Sequence, residues 1–260
     1  MKRVLVCPLN WGLGHATRCV PLIRKELEEG NEVMFAGDGY PLLFLKKQFP
    51  QLKSFLSKSY PIRYSKGNSM VWQIIRVTPF VFLRMRSENK WLRELCKKEK
   101  IDKVISDNRF GLWNKDVHSV YMTHQVMVKM PDGLKFLEKP LYRLHKKIME
   151  QYTECWIPDI EENRGLSGDL SHQFPLPKNA KYIGVLSRFD NLTEIEKDET
   201  YHNVVILSGV EPQRSIFEER MIKEYKDKEE KTLMIIGKPN KDIEEKKIGN
   251  ITQYTHLDDE

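Results

Sequence analysis

Residues 3–19 run Arg-Val-Leu-Val-Cys-Pro-Leu-Asn-Trp-Gly-Leu-Gly-His-Ala-Thr-Arg-Cys, and they carry the pattern of a strand, a glycine turn and a helix. Arg3–Cys7 is a short apolar run and predicts a buried strand. Pro8 stops it, and Trp11-Gly12-Leu13-Gly14 is a tight, permissive turn. Ala16, Val20, Ile23 and Leu27 then recur at spacings of four, three and four, one face of a helix. A strand, a glycine turn and a helix aim free backbone N–H groups and a positive helix end at one place, which suits anions. His15 stands where that helix begins and can donate to a ligand or take a proton from one.

The same pattern recurs along the chain. Glu32–Ala36 predicts a second strand closed by Gly37-Asp38-Gly39, and Tyr40–Phe49 a short helix. Ser65–Ser69 is polar and reads as a loop above a site. From Met70 apolar residues alternate with arginines at helical spacing, and Pro79 should kink that helix or begin its second part. Strands follow at Lys103–Ser106 and Ser119–Thr123. Asp132–Tyr152 is a basic amphipathic helix with the stripe Leu134, Leu137, Leu141, Leu144 and Ile148, its regular part beginning near Pro140. Glu154–Pro158 and Lys181–Val185 are short strands, and 161–180 is loop. The polar stretch 187–200 is the clearest linker. The pattern then restarts with a strand at Asn203–Leu207, a turn, a helix from Gln213 to Lys226, and strands at Thr232–Ile236 and Ile251–Tyr254.

Strands alternating with helices imply an α/β fold, with parallel sheets covered by helices on both faces. The domains expected are 1–186, a linker at 187–200, and 201–260, the last thin for a core of its own and so expected to be incomplete. Apolar residues make up 40% of the 260, enough for a core, and the net charge of +6 favours anionic ligands or an anionic surface. The four cysteines form no C-x-x-C pair, which argues for reduced thiols, a cytoplasmic setting and no metal site. Aromatic residues do not interleave with the basic ones as a nucleic-acid stacking platform requires.

In doubly wound sheets ligands bind outside the carboxyl ends of the strands. The polar residues there are Asn10 and His15, then Asp38, then Asp107, Asn108 and Arg109, then Thr123, His124 and Gln125, then Ser208, Gly209, Glu211, Gln213 and Arg214. Three readings of the first turn stand open: a partial dinucleotide fingerprint with Thr17 at the third glycine position, a turn that needs glycine for shape alone, and a family resemblance.

Asn10-Trp11-Gly12-Leu13-Gly14-His15 resembles the Gly-rich, His-ended loop of nucleotide-sugar glycosyltransferases with the two-domain GT-B fold, near the peptidoglycan N-acetylglucosaminyltransferase group. Ser106–Gly111 is similar to that group's Asp-containing motif, and Leu207–Arg214 to the opening of its second Rossmann-like domain. Many relatives have Gly-Gly-Ser-x-Gly where this chain has Ser-Gly-Val-Glu-Pro; Glu211 would repel a diphosphate unless it points away, so that contact is assigned to Ser208, Gly209, Gln213 and Arg214. The resemblance implies a metal-independent, cofactor-free transfer of a sugar, of the N-acetylhexosamine kind, from a UDP-sugar or similar donor to a hydroxyl of a sugar or lipid-linked acceptor. It implies His15 as base with Asp107 its rival, and Asn10, Gly12, Gly14, Asn108, Arg109 and His124 on the acceptor side. A nucleotide-sugar 2-epimerase and a non-catalytic binding protein on the same scaffold are the alternatives. The two basic amphipathic segments, 70–86 and 132–150, read first as core stripes with solvated basic faces, and second as a contact with the inner face of an anionic membrane.

Overall fold

Val4, Leu5, Val6 and Cys7 are all fully buried, so the opening strand is covered on both faces, which is why it is apolar throughout. In this computed structural model, residues 1–58, 70–189, 200–209, 212–238 and 243–257 are described. The expected loop 65–69, Glu211 and most of the expected linker lie outside them.

The first compact unit runs to residue 189. Its strands are β1 (Arg3–Pro8), β2 (Glu32–Gly37), β3 (Lys53–Leu56), β4 (Lys103–Asp107), β5 (His118–Met122), β6 (Glu154–Ile157) and β7 (Ala180–Tyr182). Its helices are α1 (Gly14–Glu28), α2 (Gly39–Gln48), α3 (Met70–Glu99), α4 (Glu138–Met149) and the single turn α5 (Asp169–His172). All seven strands are parallel, in the order β3-β2-β1-β4-β5-β6-β7. The order reverses between β1 and β4, which opens a crevice at their carboxyl ends.

Side chains alternate between two cores, as a pleated strand requires. Val4, Val6, Val33, Phe35, Ile105 and Val120 pack with Ala16, Cys19, Val20 and Ile23 of α1 and with Leu42 and Leu45 of α2. Leu5, Cys7, Met34, Ala36 and Val104 pack on the other face with Leu92, Leu95 and Cys96 of α3. A third cluster holds Tyr121, Tyr142, Met149, Tyr152, Cys155 and Ile157.

Two helices differ from the sequence reading. α3 runs unbroken through Pro79; a proline removes one backbone donor, and the turns on either side carry the helix past it. α4 starts at Glu138 as expected near Pro140, but the face it buries holds Glu138, Tyr142, Ile148 and Met149. Phe136 and Leu144 are exposed, and Leu134, Leu137 and Leu141 half-buried. The ring of Tyr142 stacks on Phe174 at 4.6 Å, and Glu138 accepts the Met130 N–H at 2.9 Å. One large aromatic with a satisfied hydroxyl outweighs the leucine stripe.

The second unit, from residue 200, holds β8 (Asn203–Ile206), α6 (Gln213–Tyr225), β9 (Thr232–Ile235), β10 (Glu245–Ile248) and β11 (Ile251–Tyr254). The sheet order is β10-β11-β9-β8, with β8, β9 and β11 parallel and β10 antiparallel to β11. Its core is Leu207, Met234, Ile236 and Ile251 under Met221, Ile222 and Tyr225 of the helix. β10, Glu-Lys-Lys-Ile, was not expected; three charged residues in a row carry no strand signal, though they suit an edge strand. No described helix is long and apolar enough to cross a membrane.

Candidate active site

Strand register builds the site. Pro8 of β1 pairs with Asp107 of β4, and Asp107 pairs with Met122 of β5. The residues that follow three adjacent strands therefore leave the sheet side by side at the crevice. The turn after β1 returns as α1, and its first turn lays His15 over Asp107: His15 Nδ1 lies 3.0 Å from Asp107 Oδ2. Arg18, one turn further along α1, donates from Nε to Asp107 Oδ2 at 2.8 Å and from Nη2 to Oδ1. The same guanidinium reaches His15 Nδ1 at 2.8 Å through Nη2, and His124 Nδ1 at 2.8 Å through Nη1. Cys19 Sγ lies 4.0 Å from Asp107 Oδ2.

Asp107 has no exposed surface, and His15 is 7% exposed. Burial alone would raise the Asp107 carboxyl, but the Arg18 guanidinium and the hydrogen bonds of Arg18 and His15 hold it below its ordinary value. Burial, with the Arg18 guanidinium beside it, lowers the His124 imidazole from its ordinary value. The arrangement is a histidine on a buried carboxylate, which can take a proton and have the resulting charge stabilised.

The other sequence candidates divide. Asn10 packs under Gly39 at the start of α2; Gly39 has φ +57°, and a Cβ there would meet Asn10 Nδ2 at 2.5 Å. Gly12, at φ +83°, and Gly14, the first residue of α1, are exposed in the turn. Leu13 precedes α1 without a side-chain cap, and no acid lies in the first helical turn. Asn108 is buried with a left-handed backbone, φ +54°, and its N–H bonds Met122 O at 3.0 Å. The Tyr121 hydroxyl lies 3.1 Å from Asn108 Oδ1 and 3.1 Å from His145 Nε2.

Arg109 does not join the group. It is fully buried, pairs with Glu88 of α3 at 2.7 Å, and donates to Ser57 O and Oγ and to Lys58 O. Its place is structural, tying α3 to the end of β3. In the second unit Ser208, Gly209 (φ +113°) and Gln213 are exposed around the start of α6. Arg214 instead turns inward, 4% exposed, and donates to Glu218 Oε2 at 2.9 Å, Ile236 O at 3.0 Å and Ser215 Oγ at 2.8 Å.

Two residues that sequence reasoning missed stand out. Arg18 is the hub of the cluster, and its i, i+3 spacing from His15 was the available signal. Asp159, just past β6 and 1% exposed, accepts N–H bonds from Ile160, Leu166 and Ser167, all within 2.9 Å, and organises the loop that follows. Among the described residues no group of three or more His, Cys, Asp or Glu side chains is disposed to hold a metal. All four thiols are buried, and burial pushes Cys7 and Cys155 up to about 12.

No protein-family profile matches the chain, and no curated protein is significantly similar to it in sequence. Solved structures are similar in fold. The spinosyn forosaminyltransferase SpnP aligns at 14% identity and TM-score 0.57, covering 98% of this chain and 71% of that one. Arabidopsis thaliana UGT89C1, solved with quercetin, aligns at 11% identity and TM-score 0.53, covering 93% and 66%. A Listeria monocytogenes protein described as a candidate UDP-N-acetylglucosamine 2-epimerase aligns at 11% identity and TM-score 0.52, covering 90% and 62%. The chain thus spans roughly two thirds of the length of these structures. What it shares with them is their GT-B-like α/β architecture.

Proposed function

We propose that this chain carries the acceptor-activating site of an enzyme that moves a sugar from a nucleotide-diphosphate donor to an acceptor hydroxyl. The observation that carries the reading is His15 set on the fully buried carboxylate of Asp107 at the point where the strand order reverses. In the step proposed, His15 Nε2 takes the acceptor's hydroxyl proton as its oxygen bonds to the anomeric carbon. The bond from that carbon to the diphosphate breaks, and its electron pair leaves with the phosphate oxygen. Asp107 stabilises the imidazolium that forms. Ser208, Gly209 and Gln213 are the donor-side groups, at a strand-to-helix turn of the kind that binds phosphate. Arg214 supports that turn from within.

The test is calorimetry of the full chain with UDP-, TDP- and GDP-sugars, followed by assay of nucleoside diphosphate release with sugar and lipid-alcohol acceptors. Acceptor-dependent release from one donor supports the reading. Inversion at the sugar's second carbon without release would make it an epimerase, and absence of binding by any donor would make it a binding protein of another kind.

A lipid-linked acceptor is favoured by the surface around α4. Phe136 and Leu144 are exposed there beside Lys135, Lys139, Arg143 and Lys147. Co-sedimentation with anionic vesicles at low salt, weakened by Phe136→Ser, supports it; recovery in the supernatant with anionic and neutral vesicles alike argues for a soluble acceptor.

A further inference from the structure

His15 Nδ1 has two neighbours that make opposite demands. Asp107 Oδ2, at 3.0 Å, can only accept a hydrogen bond, so it requires the proton on Nδ1. Arg18 Nη2, at 2.8 Å, can only donate, so it requires Nδ1 bare and the proton on Nε2. A neutral imidazole satisfies one of them at a time. The choice matters, because only the form with the proton on Nδ1 leaves Nε2 free to accept one.

We infer that Arg18 sets the tautomer of His15: while it lies against Asp107 it holds the base in the inactive form, and a phosphate or diphosphate group of the substrate releases it. This rests on the base role proposed for His15 above. Arg18 sits where such a switch must. It lies one turn after His15 on α1, and its side chain retains 14% of its exposure while Asp107 retains none. Its three guanidinium nitrogens are held by Asp107, His15 and His124, so an anion that takes them does so by replacing the carboxylate. A guanidinium offers phosphate a paired, charge-assisted contact as good as the one it makes with a carboxylate. Once Arg18 turns to the anion, Asp107 is left with the His15 Nδ1–H as its partner, and Nε2 becomes the acceptor. His124 Nδ1, which also receives a bond from Arg18, keeps its proton on Nε2. Arg18 is thus a positioning residue, and it couples readiness of the base to arrival of the charged substrate.

The experiment reads the ring nitrogens directly, by long-range 1H–15N spectra of the full chain labelled in histidine, with His15 assigned from its loss in His15→Ala. In the native protein without ligand, His15 Nδ1 resonates as a bare nitrogen and Nε2 as a protonated one. In Arg18→Gln the two exchange. The native protein is also titrated with UDP, the leaving group of a donor, and separately with a simple alkyl phosphate, which stands for an acceptor. Exchange of the two nitrogens in either titration supports the inference and names the source of the anion. A protonated Nδ1 in the free native protein, or a pattern unmoved by both ligands, overturns it. The ligand arms need no variant, so they stand even if Arg18→Gln fails to fold. No turnover enters the readout. If His15→Ala keeps full activity, the base role fails while the tautomer result remains as measured.

Discussion

Arg109 and Glu88 form an ion pair with almost no exposed surface, 2.7 Å apart, two residues from the candidate site. Arg109→Ala leaves the buried Glu88 carboxylate without its counter-charge, and urea unfolding should show a loss of about 3–5 kcal/mol. Replacing both by methionine should cost much less. Ligand affinity per folded molecule should hardly change in either variant, since Arg109 faces β3 and α3 and not the crevice.

Asp107→Asn keeps the shape of the side chain and removes its charge. The imidazolium of the transition state then loses its counter-charge, and the rate should fall by about 10²–10⁴. Donor affinity from calorimetry should be unchanged. A fall in donor affinity with the rate per bound complex preserved would assign Asp107 to binding.

Gly111 approaches α3 so closely that a Cβ there would lie 2.4 Å from Met85 O and 2.8 Å from Glu88 Cβ. The helix backbone cannot yield cheaply, so Gly111→Ala should cost about 1–3 kcal/mol in chemical unfolding. An unchanged unfolding midpoint would mean that the 106–111 turn does not seat on α3 as described.

His145 is held neutral. Burial pushes its imidazole from 6.5 down to about 4, against a hydrogen bond to Val126 O that pulls the other way. The folded state therefore binds fewer protons than the unfolded chain between these values. Stability is complete above about pH 6.5 and declines as the pH falls toward 4. His124, also held below its ordinary value, adds to the same limb. Thermal unfolding at pH 7 and pH 5 should show a fall in Tm for the native chain, and a smaller one for His145→Gln.

Much of the fold was legible because it rests on local pattern. The apolar run of β1, the glycines after it and the spaced apolar residues of α1 each announce their element. The site was legible only in part. His15 and Asp107 were both chosen, but as rivals; 92 residues apart in sequence, they gave no sign that one rests on the other. Arg18 reads as the solvated side of an amphipathic helix until β4 places a carboxylate under it. Asp107 and Arg109 stand two residues apart and face different partners, because the left-handed backbone at Asn108 turns the chain between them. Arg214 misled for a related reason: an arginine at a helix start suggests an exposed cation, while this one satisfies a carbonyl and a carboxylate inside its own unit.

The most direct test is single-turnover transfer by His15→Ala at saturating donor, with the donor dissociation constant measured in parallel. Transfer should fall by about 10²-fold or more while the dissociation constant stays within a factor of two. Transfer at the native rate would rule out His15 as the base, because the proton of the acceptor would then be leaving by another route.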